Sequence, residues 1–429
     1  MSFARYRYLI FVLLGTAYLL VFFHRLAPAV VAVDMMADLQ TGGALMGLLA
    51  SAYFYPYALM QIPAGLLSDT WGPRRSVVAF FSVAAAGSIL LGFTQNVTMA
   101  ITARVLVGLG VAMVFIPTLK ILTRWFEAHE FSRMTSLLMS LGGVGAFTAS
   151  TPLAFLSDAI TWRGSMIVIG VATLAISALI WRLVRDTPEQ SGYRPLTNCA
   201  IDNTCDGVKY GLLGGIFLVL KNKIFWPMAL CNFFGALVTL SFNGLWGGPF
   251  LMHAYGLSRT QAGGVLSMMA VGLIFGAPFW NWLSHQVLYS RKKVLLISQF
   301  SGLCLFAPLA FFTAGFSVLQ LYLWCFFFNF SMCSMVVVGY SAIKESFPLQ
   351  ISGTATGVLN IFPFAGAALG QPLIGWYLDS AGAIGGRYPV EAYSGAFKMC
   401  LISLVVAFFC STLVRETLPP KTPGPKTVL

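Results

Sequence analysis

Apolar runs long enough to cross a bilayer recur twelve times along this chain, and no other feature limits its fold so sharply. They fall at about residues 8–33, 42–67, 76–94, 98–122, 134–157 and 164–184, then at about 225–251, 260–283, 293–314, 317–341, 352–378 and 394–413. A helix needs roughly 20 apolar residues to span the hydrocarbon core, so each run predicts a transmembrane helix. Composition agrees: 58% of the 429 residues are hydrophobic and 9% are charged, against about a quarter charged in soluble domains. The short alternating strands of an outer-membrane barrel are missing. The expected fold class is all-α and integral to the membrane.

Six runs, a polar linker and six more runs suggest a duplicated architecture. The predicted organisation is an N-terminal six-helix bundle over 1–184, a linker over 185–223, a C-terminal six-helix bundle over 224–413 and a tail over 414–429. Internal echoes support it: IPAGLLSDTWGPRRSV follows the second run and APFWNWLSHQVLYSRKKV the eighth. Two such halves around a central cavity are the layout of a rocking transporter. Pro56, Pro63, Pro117, Pro278, Pro363 and Pro372 fall inside runs, which membrane helices tolerate where neighbours satisfy the freed backbone groups. The stretch GLLGGIFLVLKNKIF predicts a short interfacial helix, and PPKTPGPKTVL an unstructured tail.

The net charge of +12 lies in alternate loops, including Arg5 and Arg7, Arg74 and Arg75, Arg124 and Arg133, and Arg291 to Lys293. That is a positive-inside pattern. It argues against nucleic acid as partner and predicts both termini in the cytoplasm of a multi-pass inner-membrane protein. Basic residues, an apolar run and Ala27-Pro28-Ala29 mimic a secretory signal, but the run continues to Val33, so an uncleaved first span is expected. The eight cysteines are scattered, and Cys199 and Cys205 lack a second ligand pair, so neither disulfides nor metal are predicted. No catalytic set and no phosphate-cradling Gly-Lys-Ser loop is present, so neither an enzyme nor a cofactor is expected.

Ionisable residues inside spans are the default functional candidates. Here they are His24, Arg25, Arg104, Lys120 and, near the end of the tenth run, Lys344 with Glu345. No carboxylate sits near the middle of any run. A basic cavity suits a carboxylate, sulfonate or phosphate, because a guanidinium offers paired donors to those groups. Arg25 is therefore a substrate contact or a snorkelling structural cation; Lys120 is a second anion contact or a headgroup anchor. His24 is a hydrogen-bonded structural histidine or a proton-coupling group, and Arg104 is a structural or gating residue or a proton-linked one. Tyr53, Tyr57 and Gln61 form a polar stripe at one-turn spacing. With Asn243, Trp246 and Asn360 they either shape a substrate pocket or pack helices.

GLLSDTWGPRR, Gly65 to Arg75, combines a close-packing Gly65, an acceptor Asp69, a tight turn at Gly72 and loop anchors Arg74 and Arg75. It resembles the loop 2–3 signature of the major facilitator superfamily, which implies two pseudo-symmetric six-helix bundles and a gating role for those five residues. ARVLVGLGVA, RWFEAHEFSR, TWRGSMIVIG and FPLQISGTATGVLN resemble further motifs of the same family. The copy after the eighth run departs from the pattern, with His285 near the place of Asp69. FFHRLAPAVVA, Phe22 to Ala32, looks like the first-span signature of the anion:cation symporter branch, with His24 where that branch carries an acid. The resemblance implies alternating-access transport of a small organic anion with a proton or other coupling ion, by a chain functional as a monomer. A drug or metabolite exporter of the same fold, and a transporter-like membrane sensor, are the competing expectations.

Overall fold

A computed structural model describes residues 2–193 and 212–418; Cys199, Cys205 and the proline-rich tail lie outside the described residues. Among the described residues, ten helices are long and apolar enough to cross a membrane alone. An eleventh crossing, the second in order, is a bent pair, Gly43–Leu59 and Pro63–Thr70, meeting at 55°. The remaining one is the fifth. It begins with Ala128–Thr148, made less apolar by Glu130 and Arg133, and runs on into Thr151–Leu183. The latter helix is broken by a kink at Ile160 and Thr161, the second with a left-handed φ of 66°, and its remainder is read as the sixth crossing. The described residues thus hold the twelve expected crossings. Pro73–Gly92 is the third, Val97–Trp125 the fourth, Phe225–Tyr255 the seventh and Arg259–Val287 the eighth; Arg291–Phe311, Val318–Ser346, Ile351–Ala381 and Val390–Thr412 complete the set. A short helix, Leu212–Lys221, precedes the seventh.

Both described ends lie at one end of the bundle. Tyr6 donates to the Leu183 carbonyl at 2.7 Å and Arg7 pairs with Glu130, so residue 6 lies level with the end of span 6 and the start of span 5. Glu416 likewise reaches the start of span 9. We call this the termini-bearing end and its opposite the far end.

Prolines break the helices, and donors from other helices repair the damage. Pro28 has no N–H to offer the carbonyl four residues back, so span 1 divides into Phe3–Leu26 and Pro28–Leu39. That carbonyl, on His24, accepts from Arg104 Nη1 at 2.8 Å. Pro372 frees the carbonyl of Ala368, which accepts from the Tyr55 hydroxyl of span 2 at 3.0 Å. A wide turn at Phe242–Trp246 loosens span 7, and the Leu240 carbonyl accepts from Gln371 Nε2 of span 11. In hydrocarbon an unsatisfied carbonyl costs several kcal/mol, of order 2–7, so these repairs fix which helices are neighbours.

At the far end the halves meet without a gap. A Cβ on Gly43 of span 2 would sit 2.9 Å from the Gly375 carbonyl oxygen of span 11, and one on Gly47 would sit 2.5 Å from that of Gln371. Asp379 accepts from the backbone N–H groups of Gly43 and Ala44 at 2.7 and 2.8 Å. Arg259 of span 8 pairs with Asp34 and Asp158 of the other half, at 2.5 and 2.8 Å.

Candidate substrate site

Span 1 carries Arg25 at the end of a ladder of aromatic residues. Phe22 lies one turn before it and Tyr18 two turns before, so all three share a face. The guanidinium carbon lies 4.7 Å from the Phe22 ring centre, and 5.0 Å from those of both Tyr57 and Phe364. Arg25 is buried, and its neighbours within electrostatic reach include Tyr18, Tyr53 and Tyr57. Among the described residues no carboxylate pairs with it. Its Nε and the hydroxyl of Tyr53 are buried without a hydrogen-bond partner of good geometry.

Ring faces offset part of the desolvation of such a cation, each by about 0.5–2 kcal/mol. A buried charge still costs several kcal/mol unless an opposite charge accompanies it. An anion beside Arg25 would remove that cost.

A polar chain links the two halves beside these rings. The Tyr340 hydroxyl donates to Asn360 Oδ1 at 2.6 Å, and Asn360 Nδ2 donates to Gln61 Oε1 at 2.7 Å. Gln61 Nε2 in turn donates to the Tyr57 carbonyl at 3.2 Å. Spans 1, 2, 10 and 11 thus converge on Arg25.

The other candidates fall elsewhere. His24 is buried, with Nε2 3.0 Å from Thr173 Oγ1 of span 6. Arg104 donates to the carbonyls of His24 and Ala50 and lies over the Tyr53 ring. These two tie spans 1, 2, 4 and 6 together and share one neighbour, Tyr53, with the Arg25 pocket. Trp246 is fully buried in the far-end seam, donating to the Gln371 carbonyl at 2.9 Å. Asn243, half-buried, sits in the wide turn of span 7. Lys120 donates to Asp69 and to the Ser68 carbonyl, which puts it in the loop 2–3 cluster rather than beside Arg25.

In that cluster Gly72 has a φ of 94°, open to glycine without strain. Asp186 accepts from the Arg74 backbone N–H at 2.7 Å, Arg74 stacks on Trp181, and Arg75 is exposed. Gly65 has nothing within 4 Å of a Cβ. In the second half, His285 lies 2.9 Å from Arg291, and the carboxylate there is supplied by Glu345 of span 10, 2.7 Å from Arg291.

Sequence reasoning passed over Tyr18, Tyr340, Phe364, Asp186 and Glu416. For Tyr18 the seven-residue spacing from Arg25 was a usable signal. For the last two it was a repeat, LVRDT at 183–187 and LVRET at 413–417. Each carboxylate caps the helix that opens the third span of its half, Glu416 through Ser290 and the Arg291 N–H.

The profile of the Major Facilitator Superfamily matches residues 10–246 and 228–428. A probable hexose phosphate transport protein of Chlamydia pneumoniae is 23% identical over 86% of this chain and 84% of its own. The membrane sensor protein UhpC of Salmonella typhimurium is 24% identical over 86% of each chain. Among solved structures, a bacterial homologue of the human lysosomal transporter Spinster, in an inward-facing and unoccupied conformation, superposes with a TM-score of 0.76. It is 18% identical, over 95% of this chain and 97% of that one.

Proposed function

The chain belongs to the Major Facilitator Superfamily, and from that premise we propose that it carries a small organic anion across the inner membrane by alternating access. It is not an enzyme. The observation that carries the anion is Arg25, buried among aromatic rings with no carboxylate partner among the described residues. The name of the hexose phosphate relative supports the same class, which includes carboxylates, sulfonates and phosphate esters.

In this reading Arg25 binds the charged group, while Tyr53, Tyr57, Gln61 and Asn360 shape the pocket. Asp69, Arg74 and Arg75 organise the gate at the termini-bearing end, which faces the cytoplasm. The halves are 1–184 and 224–413, the monomer is the working unit, and a proton or other ion is coupled. His24 and Arg104 are assigned to holding the N-terminal half together.

The test is uptake in proteoliposomes. Arg25→Ala should lose about 30-fold or more of anion uptake while its melting temperature holds, because removing one member of a buried charge pair costs roughly 2–5 kcal/mol. Undiminished uptake would overturn the role. A second reading, a ligand-binding sensor, is favoured by the likeness to UhpC. It expects anion binding by the purified protein with no turnover.

A further inference from the structure

A cavity of about 480 Å³ opens at the termini-bearing end of the C-terminal half. It is lined by Ser341, Lys344, Glu345, Phe347 and Ser352. Its position follows from the helices. Lys344 stands one turn beyond Tyr340 on span 10, about 6 Å along the axis. Ser352 stands eight residues before Asn360 on span 11, about 12 Å along. The cavity therefore lies below the Tyr340–Asn360–Gln61 chain, between that chain and the aqueous opening.

The charges in it are unequal. Glu345 is occupied on both oxygens: Arg291 donates from Nε and Nη2 at 3.3 and 2.7 Å, and Thr417 donates at 2.6 Å. Lys344, by contrast, is exposed and has no ion pair or hydrogen bond among the described residues. The carboxylate is neutralised by a buried arginine, and the ammonium is left unpaired; the Ser341 hydroxyl beside it donates to the Val337 carbonyl at 2.9 Å.

We propose that Lys344, in the cavity that Ser341 and Ser352 also line, forms an outer anion site that receives the anion from water on its way to Arg25. This rests on the anion reading of the Arg25 pocket. The ligand is a carboxylate, sulfonate or phosphoryl group, and its source is the soluble substrate rather than a lipid headgroup. Near one unscreened cation, local anion concentration rises about tenfold at low salt and falls as salt is added.

A Ser341→Cys reporter tests it, in protein whose Cys199, Cys205 and Cys304 are replaced by serine. The rates of an anionic and a cationic methanethiosulfonate reagent are compared in lipid-free detergent at low salt. The anionic-to-cationic ratio should fall about tenfold in Lys344→Ala, survive in Lys344→Arg, and survive in Arg25→Ala. Inorganic phosphate should slow the anionic reagent only while residue 344 is basic. An unchanged ratio in Lys344→Ala overturns the outer site. So does protection seen only in vesicles containing phosphatidylglycerol and not in phosphatidylcholine or detergent, which would assign the lysine to lipid. A ratio that follows Arg25 alone would also defeat the outer site while leaving the Arg25 reading intact.

Discussion

Spans 2 and 11 run side by side, and their two ends are built from the same residue type in opposite circumstances. At the far end Gly43, Gly47 and Gly375 are jammed against backbone of the opposing span. At the termini-bearing end Gly65, Gly353 and Gly357 have nothing within 4 Å of a Cβ. The open glycines share the contact face: Gly65 is one turn from Gln61, and Gly357 and Gly353 are one and two turns from Asn360. The Gln61–Asn360 bond is the last cross-half hydrogen bond of this seam, among the described residues, before the gap begins. Glycine permits close helix approach. Where the approach is made, the halves are sealed; where it is not, the glycines are a surface waiting for it. The structure is open at the termini-bearing end, and a rocking motion of the halves would exchange the two conditions.

The strongest way to break this contrast is to fill the sealed end. Gly375→Leu would drive a side chain into the Gly43 backbone, and overpacking of this kind costs about 1–3 kcal/mol. A bias of about 2 kcal/mol changes the ratio of the two states roughly 30-fold. Spin-label distances across the far end should lengthen and those across the termini-bearing end shorten; unchanged distances would refute the assignment of the seam. Filling the open end should do something different. A Cβ at Gly357 has nothing within 4 Å in this state, so the melting temperature of Gly357→Leu should stay within the range of a surface change, about 0.5 kcal/mol. Turnover should nevertheless fall about tenfold, since the side chain obstructs closure. Normal turnover would show that the open glycines never meet.

The twelve crossings were legible because lipid allows few alternatives to a twenty-residue apolar helix. Their ends were not, and the reason is polar pairing. Span 1 was expected to stop at Val33, yet its second helix runs to Leu39, because Asp34 pairs with Arg259 and Asp38 with Arg163. Span 5 starts at Ala128 rather than near 134, because Glu130 is matched by Arg7. A hydropathy window counts those carboxylates as exits, whereas the fold uses them as fasteners. At the candidate site, in-span polarity marked Arg25, Tyr57, Gln61 and Asn360. Tyr340, at the end of the tenth run and outside any polar stripe, and the apolar Phe364 were not singled out this way. They matter through their distance from Arg25, and that distance depends on how two halves some 300 residues apart in sequence dock.

Asp379 and Glu416 sharpen the comparison, because both cap helix N-termini but only one crosses the seam. Asp379, on span 11, caps the start of span 2 and accepts from Tyr388 as well, whose phenol is pushed up by burial and then by that carboxylate. Losing a cap costs about 0.5–2 kcal/mol. Asp379→Asn should therefore favour opening of the far end by about fivefold, read by the same spin-label pair.

Glu416 caps span 9 from within its own half. Glu416→Gln should cost about 1 kcal/mol of stability without moving the balance between the two ends. Its pH dependence has a definite sign. Burial raises the carboxyl, but the Ser290 hydroxyl and the N–H groups of Arg291, Leu418 and Thr417 outweigh it, leaving the group below the ordinary glutamate value. A depressed folded-state value means that the stabilisation is fully present above the unfolded value of about 4.3 and is lost as pH falls through the lower one. The stability gap between wild type and Glu416→Gln should be flat from pH 7 down to about 5 and narrow below about 4. A gap that grew on acidification, or a change in the spin-label distances at any pH, would mean that Glu416 bears on the seam after all.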